Sequence, residues 1–499
     1  MIHLQITPPH RRIVLHWICV FLFSFFLLSF LSPDSFLTHL CTIREDSAWF
    51  FTCGKAWMEG MTPYVDFADS KGPLLWLIYG IGYLLSPTSY IGVFWLSVLA
   101  YTVTFAVLWR TARLFVGCRE FLIVIVVMPT LMFYHLLHDE VRAEDFCMPW
   151  ICIGIYCVCR ALMSKPGTSV KKYAFWLGVG MAWCLLVKWN WFVLMGGMAL
   201  IILGVSFGRK RADGLVFGLL GIAALTIPFV VYFLWKGNLT AMVQEYFVNT
   251  FLTTGRGKDP GLWRTVFYNL LTDRMAVYQT ALLVGGIVGI VLFCRRFRMS
   301  YWLLLAYLPF FLGLGLQPSW YYYFAVVMPF YMFFLLVLAS CCSRFIDKLP
   351  KLVLAVIVVV ISLGGTAYNT RWSDLVFFPS ANQERWDEIQ QVMQHKQRPL
   401  ILFMIGDYGY GILVRALPAC KYWSLQNNSG ERIEEERNEA IRRQKPDFVV
   451  ASDKFGNKNE VKYAKFFTVL RKSGYRQCYV RVVRNGKAVK KAVLVYTKW

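Results

Sequence analysis

Long apolar runs separated by short basic connections set the pattern of this chain. The runs are Ile13–Leu31, Tyr90–Trp109, Phe121–Leu137, Phe146–Met163, Tyr173–Val187, Trp191–Phe207, Gly214–Trp235, Met275–Cys294, Tyr301–Leu316, Tyr321–Cys342 and Leu352–Tyr368. Most approach the ~20 residues that an α-helix needs to cross a bilayer core. The pattern therefore predicts about 11 transmembrane helices, Tyr173–Val187 and Tyr301–Leu316 being the shortest. Ser32-Pro33-Asp34 follows the first run directly, without a small-residue cleavage site, so Ile13–Leu31 reads as a retained helix. Pro73–Ser86 is apolar but too short for a comfortable span. It reads as a juxtamembrane or partly re-entrant helix.

The pattern changes after Tyr368. From Asn369 to Trp499 charges of both signs mix with turn residues. Leu400–Ile405 and Phe448–Ala451 read as buried strands, Gly430–Gln444 and Asn459–Ser473 as helices. Tyr479–Val483 and Ala488–Lys498 read as a hairpin around Asn485-Gly486. The expected organisation is a transmembrane domain over 1–368 and a small soluble α/β domain over 369–499. Within the first, residues 32–89 form a distinct outer loop with its juxtamembrane helix.

Charge orients this scheme. Only 16% of the 499 residues are charged, 57% are hydrophobic, and the formal net charge is +23. Such an excess of Lys and Arg invites nucleic acid, but its distribution argues against that partner. Arg11 and Arg12, Arg110 and Arg113, Lys171 and Lys172, Arg209 to Arg211, Arg295 and Arg296, and Arg344 and Lys348 all fall in every second connection. That is the positive-inside pattern. It places the N-terminus in the cytoplasm, and eleven spans then place the C-terminal domain outside. The remaining basic excess, mostly in the tail, suits either solubility or anionic lipid headgroups. The 14 cysteines show no paired metal spacing, and most lie inside apolar runs as small buried hydrophobes.

The outer connections carry the candidate chemistry. The first holds Glu45-Asp46, Gly60, Pro63-Tyr64, Asp66, Asp69 and Lys71-Gly72-Pro73. A carboxylate here could take a proton from an attacking hydroxyl, and the lysine could stabilise a departing phosphate. Asp34 and Glu59 read as ordinary solvated carboxylates. A second acidic patch runs from His138 to Asp145 around Arg142, and its Glu144 and Asp145 directly precede an apolar run. Ionisable groups at such a position are functional candidates. Carboxylates also make a divalent cation a candidate ligand, although no diagnostic spacing is present. Lys188 interrupts an apolar stretch, where it could pair with a phosphate, pair with an acid, or snorkel to the interface. Trp320 and Tyr321 belong to an aromatic belt that could also line a sugar or lipid groove, as could Tyr64.

The order of these residues resembles a family. The acidic pair Glu45-Asp46 after the first span, then Gly60, Pro63-Tyr64, Asp66, Asp69 and Lys71-Gly72-Pro73-Leu74-Leu75, is similar to the GT-C class of polyprenyl-phosphate-sugar glycosyltransferases. The nearest branch is the bacterial one related to protein O-mannosyltransferases and lipid A aminoarabinose transferases. Glu144-Asp145, Lys188-Trp189-Asn190 and the tail residues Pro418, Lys421-Tyr422, Gln426 and Lys445-Pro446-Asp447 match it by position. The resemblance implies a GT-C-like fold and an inverting transfer from a polyprenyl-phosphate sugar to a glycan, lipid or protein hydroxyl. It implies Asp46 as base, because Asp46, Phe50 and Gly54 keep the family spacing, with Glu45 as runner-up. An arginine that the aminoarabinose branch carries after its acidic pair is Ala48 here, so Lys71, Lys188 and Arg142 are the candidate phosphate contacts. Glu144, Asp145 and Asp69 are candidate supporting acids. The rivals are a lipid-linked-sugar flippase or transporter, which needs ionisable groups deep inside spans, and an oligosaccharide polymerase or ligase. The latter would use the late loop with Arg256, Arg264 and Arg274.

Overall fold

The computed structural model describes residues 9–38, 45–117, 140–253, 274–315, 321–370, 372, 375–377, 391–404, 409–424, 431–452, 460–485 and 488–498. Among these residues seven helices are long and apolar enough to cross a membrane. They are Val14–Leu31, Ile91–Ala112, Ala143–Met163, Trp189–Gly208, Asp213–Trp235, Tyr323–Cys341 and Lys351–Asn369. The chain is a multi-pass membrane protein. The expected spans at 173–187 and 301–316 are helices of 17 and 13 residues, Lys171–Val187 and Leu303–Gly315. Met275–Cys294 lies within the helix Arg274–Arg296. Phe121–Leu137 lies outside the described residues.

The chain divides into two compact units, Met1–Ser32, Leu96–Val230 and Gly257–Arg371 forming one, and Pro33–Trp95, Val231–Arg256 and Trp372–Trp499 the other. In the first, Ala143–Met163 packs on Lys171–Val187, Gly196–Gly208 on Leu303–Gly315, and Arg274–Arg296 on Met328–Cys341. In the apolar stretches of Asp213–Trp235 and Lys351–Asn369 only 11% of the residues are buried by the protein. A helix with that surface is stable where its solvent is hydrocarbon.

The second unit brings the first loop and the C-terminal residues into one compact body. A five-stranded sheet has the order β2-β1-β3-β5-β4, from β1 (Leu400–Phe403), β2 (Leu417–Pro418), β3 (Phe448–Ser452), β4 (Arg476–Asn485) and β5 (Ala488–Thr497). β1 pairs parallel with both β2 and β3, while β3–β5 and β5–β4 are antiparallel. Leu402, Val449 and Ala451 meet Ile441 and Leu470 in one core, from the helices Glu431–Arg442 and Glu460–Lys472. The expected strands and helices are all present, and β4 and β5 pair antiparallel up to Asn485↔Ala488, while Gly486 lies outside the described residues.

Glu45–Met58 is a helix that hydropathy did not single out. Phe50 and Gly54, four residues apart, turn toward the helix Pro73–Leu85, and Asp46 lies one turn before them. Phe50 meets Tyr79 edge-on at 5.5 Å. A Cβ on Gly54 would fall against the backbone nitrogen of Gly80 and 2.7 Å from the Trp76 carbonyl oxygen, so only glycine permits this approach. The four-residue spacing from Phe50 to Gly54 thus has a packing reason. At the helix end Gly60 adopts φ 94°, the Met61 N–H reaches the Ala56 carbonyl at 3.0 Å and the Gly60 N–H the Trp57 carbonyl at 3.1 Å. This is a Schellman stop, which a side chain at Gly60 would strain.

Candidate functional site

The loop from Glu59 to Gly72 is built around Tyr64. Its ring is fully buried against Trp76 at 4.6 Å and Phe233 at 5.8 Å, and its backbone sits at φ 65°. The Tyr64 hydroxyl donates to the Lys71 carbonyl oxygen at 3.0 Å. Burial pushes this phenol well above its ordinary range, with Tyr246, Asp69, Cys53 and Glu245 adding to the effect. Tyr64 therefore stays a neutral donor and braces the loop, with no ring face open. Asp66 accepts the Thr62 N–H at 2.7 Å, closing the turn from inside. Asn238 donates to the Pro63 carbonyl at 2.9 Å, anchoring the loop to the segment after the span Asp213–Trp235.

Asp69, 6% exposed, accepts from the Ser70 N–H at 2.5 Å through one carboxylate oxygen. Its other oxygen is buried and has no hydrogen-bond partner among the described residues. Lys71 lies 5.4 Å from the centre of the Phe50 ring, next to the open N-terminus of Pro73–Leu85, which no side chain caps. Phe50 is one turn along the helix from Asp46, and Asp46 is half-buried. Asp46 lies in the first turn of its helix, where a carboxylate complements the positive end of the dipole. The Glu45 side chain is not described.

Glu59 is a correction to its reading as a solvated carboxylate. It holds Arg398 at 2.7 Å and Arg415 at 3.0 Å and accepts from the Tyr83 hydroxyl. Burial raises its carboxyl, but the Tyr83 hydrogen bond and the two guanidinium charges outweigh that and hold it below the ordinary range. Asp34 is buried as well, at 3% exposed. A second hub is Glu245, which sequence did not mark. It takes Lys421 at 2.7 Å, the Tyr422 hydroxyl at 3.0 Å and Asn249 at 2.9 Å. Burial pushes this carboxyl up, but Lys421, Asn249 and Tyr422 together bring it below its usual value.

The other acidic patch, in the other unit, is tied together by ion pairs and hydrogen bonds. Lys188, at the break between Lys171–Val187 and Trp189–Leu194, meets Glu144 at 2.5 Å. Its ammonium also sits 4.2 Å from the Tyr323 ring centre. Of the roles open to Lys188, this geometry realises pairing with an acid. Arg142 donates to Glu140 at 3.0 Å. Its backbone N–H is received by Asp145 at 2.6 Å, and Asp145 also accepts from Tyr101 at 2.5 Å. The carboxylate of Asp145 thereby caps the helix that begins at Ala143. His138, Asp139, Arg256, Arg264 and Trp320 lie outside the described residues, and the side chains of Tyr321 and Arg274 are not described. For the divalent cation, no group of three or more His, Cys, Asp or Glu gathers among the described residues.

A polytopic helical bundle and a mixed α/β sheet in one chain, with an acidic first loop that leads into a short apolar helix, define a class of fold. It is the GT-C fold, which the chain shares with solved membrane glycosyltransferases. The chain is similar over 98% of its length, and 98% of the other's, to ArnT from Cupriavidus metallidurans bound to undecaprenyl phosphate, with TM-score 0.62 and 13% identity. Against the apo state of that protein the values are 97% and 98%, TM-score 0.62 and 12% identity. A zinc- and sulfate-bound oligosaccharyltransferase from Archaeoglobus fulgidus aligns over 93% of this chain and 71% of its own, at 12% identity and TM-score 0.48. No family profile matches the sequence, and neither does any curated protein.

Proposed function

We propose that the protein is an inverting glycosyltransferase that moves a sugar from a polyprenyl-phosphate carrier to an acceptor hydroxyl on the outer face of the cytoplasmic membrane. The observation that carries this reading is the fold shared end to end with a protein captured with undecaprenyl phosphate. The first loop supports it with a half-buried Asp46 at the helix start and Lys71 beside an uncapped helix N-terminus.

In the proposed reaction Asp46 takes the proton of the acceptor hydroxyl, and Glu45 is the alternative base. The hydroxyl oxygen forms a bond to the anomeric carbon as the bond from that carbon to the phosphate oxygen breaks. One displacement inverts the configuration, and polyprenyl phosphate leaves with its electron pair. Lys71 and the N–H groups at the start of Pro73–Leu85 stabilise that phosphate. Tyr64, through its bond to the Lys71 carbonyl, fixes where the lysine begins. Lys188 and Arg142 are proposed anion contacts too, and each would have to exchange Glu144 or Glu140 for the phosphate. The basic connections described above support a cytoplasmic N-terminus and an outer C-terminal domain.

The test uses purified full-length protein in nanodiscs with a panel of polyprenyl-phosphate sugars and a cell-envelope extract as acceptor. Wild type should release polyprenyl phosphate and transfer label, and Asp46→Asn should lower turnover by about 100-fold or more. Equal turnover in Asp46→Asn would remove Asp46 as base. Movement of donor between leaflets without any transfer would replace the transferase reading with a flippase.

A further inference from the structure

The second unit contains a cavity of about 730 Å³ that the proposed chemistry leaves unused. That volume is inside the range of roughly 300–1,000 Å³ usual for small-molecule sites. One wall is the loop segment with Met61, Val65 and Asp66, and the opposite wall is the helix Glu431–Arg442. The floor is the backbone from Pro418 to Lys421. Floor and loop are joined directly, since the Ala68 N–H donates to the Lys421 carbonyl at 3.0 Å. Three residues beyond Ala68 the same loop reaches Lys71.

The lining is charged but balanced, with four carboxylates and four cations. A polyanion would meet the carboxylates and a polycation the basic groups, so neither suits this cavity. Several of the charges are paired, Lys421 within the protein and Arg432, Arg443 and Glu439 at its exposed rim. Lys421 is bound to Glu245 at 2.7 Å, and Arg432 donates to the Tyr422 hydroxyl at 2.7 Å. Arg443 donates to Glu439 at 2.7 Å. Glu436 accepts the Lys421 backbone N–H, and its burial raises its carboxyl above the ordinary range despite the nearby Lys421 and Arg432. Acceptors and donors in equal number around one cavity, with Met61 and Val65 as apolar surface, are what a neutral polyhydroxylated ring needs. Its hydroxyls each donate and accept, while its C–H faces pack on apolar side chains.

We propose that this cavity binds the saccharide part of the acceptor, next to the loop that carries the transfer chemistry. This rests on the glycosyltransferase reading for the word acceptor, but not for saccharide binding as such. The shared chemistry is a neutral sugar, free or as the head of a glycolipid.

The test separates binding from transfer. Full-length protein in nanodiscs is titrated with methyl glycosides and disaccharides of hexoses and N-acetylhexosamines, read by saturation-transfer NMR, and with the same sugars on lipid anchors in the nanodisc. Glu436→Gln and Arg443→Ala, both on the cavity wall, should weaken saccharide binding by about tenfold and raise the acceptor KM by the same factor. Donor KM and kcat should stay within about twofold. Asp46→Asn should bind saccharide as wild type does. Stronger binding of the lipid-anchored sugars identifies a glycolipid as the source, and equal binding a free glycan. Wild-type acceptor KM and saccharide signal in both wall variants would overturn the proposal while leaving the transferase reading intact. Saccharide binding lost in the wall variants of a protein that transfers nothing would do the reverse.

Discussion

Replacing Lys188 by methionine distinguishes its two candidate roles. Its ammonium lies 2.5 Å from Glu144, with side-chain exposures of 10% and 3%. At an effective dielectric near 20, that separation corresponds to a gross attraction of about 7 kcal/mol. Much of this offsets desolvation in the intact protein. Once the lysine is gone the buried carboxylate keeps its desolvation cost without the attraction, and the usual loss is about 3–5 kcal/mol. The contact with Tyr323 at 4.2 Å adds about 0.5–2 kcal/mol, so the upper part of that range is expected. A typical total stability is only about 5–15 kcal/mol. Lys188→Met should therefore melt several degrees early in a fluorescence-detected unfolding scan of detergent-purified protein. Lys188→Met combined with Glu144→Gln removes the stranded charge and should recover most of the difference. If Lys188→Met melts with wild type, the pair is not stabilising, and the reasoning fails. If melting is unchanged and the donor KM alone rises, Lys188 is a phosphate contact.

Other perturbations test separate parts of the structure. Gly54→Val should cost about 3 kcal/mol, the upper end for overpacking, because its Cβ meets the Gly80 backbone and the Trp76 carbonyl at 2.7 Å; yield of monodisperse protein and its melting temperature report this. Glu59→Gln should be less stable than wild type at neutral pH, since the folded Glu59 carboxyl is held below 4.5. The stabilisation is present above that unfolded value and disappears as pH falls through the lower folded one, so the two melting curves should converge at acid pH. Asp447→Ala removes the acceptor for Lys396 at 2.7 Å and for the Leu400 N–H at 2.9 Å, a loss of about 1–3 kcal/mol seen as faster proteolysis of the C-terminal sheet.

Hydropathy legibly marked most of the helices, because a bilayer leaves few ways to satisfy a backbone and enforces a minimum length. Pro73–Leu85 was legible too, since Gly72-Pro73 opens it and Ser86-Pro87 prevents its continuation. The helix Glu45–Met58 was not. It mixes Trp, Phe, Cys, Gly and Lys without a polar face, because Lys55 and Ser47 are as buried as Phe50 and Phe51. In the candidate site, Asp46 and Lys71 could be ranked from local order, but Glu59 and Glu245 could not. Their partners Arg398, Arg415, Lys421 and Tyr422 are more than 150 residues away, as the separations of 356 for Glu59–Arg415 and 177 for Glu245–Tyr422 illustrate. No periodicity or spacing encodes such a pairing. Lys188 was legible as an anomaly, and only the folded chain showed that Glu144 answers it.

The second unit is assembled from Pro33–Trp95, Val231–Arg256 and Trp372–Trp499. Synthesis delivers these pieces in order, so the loop bearing Asp46 emerges long before the arginines that hold Glu59. β5, which lies between β3 and β4 in the sheet, is the last of the strands to leave the ribosome. Completion of this unit is therefore a late event in the life of each molecule. A nascent or prematurely terminated chain would hold inserted helices and an acidic loop whose network is unfinished, which ties assembly of the candidate site to translation of the full tail.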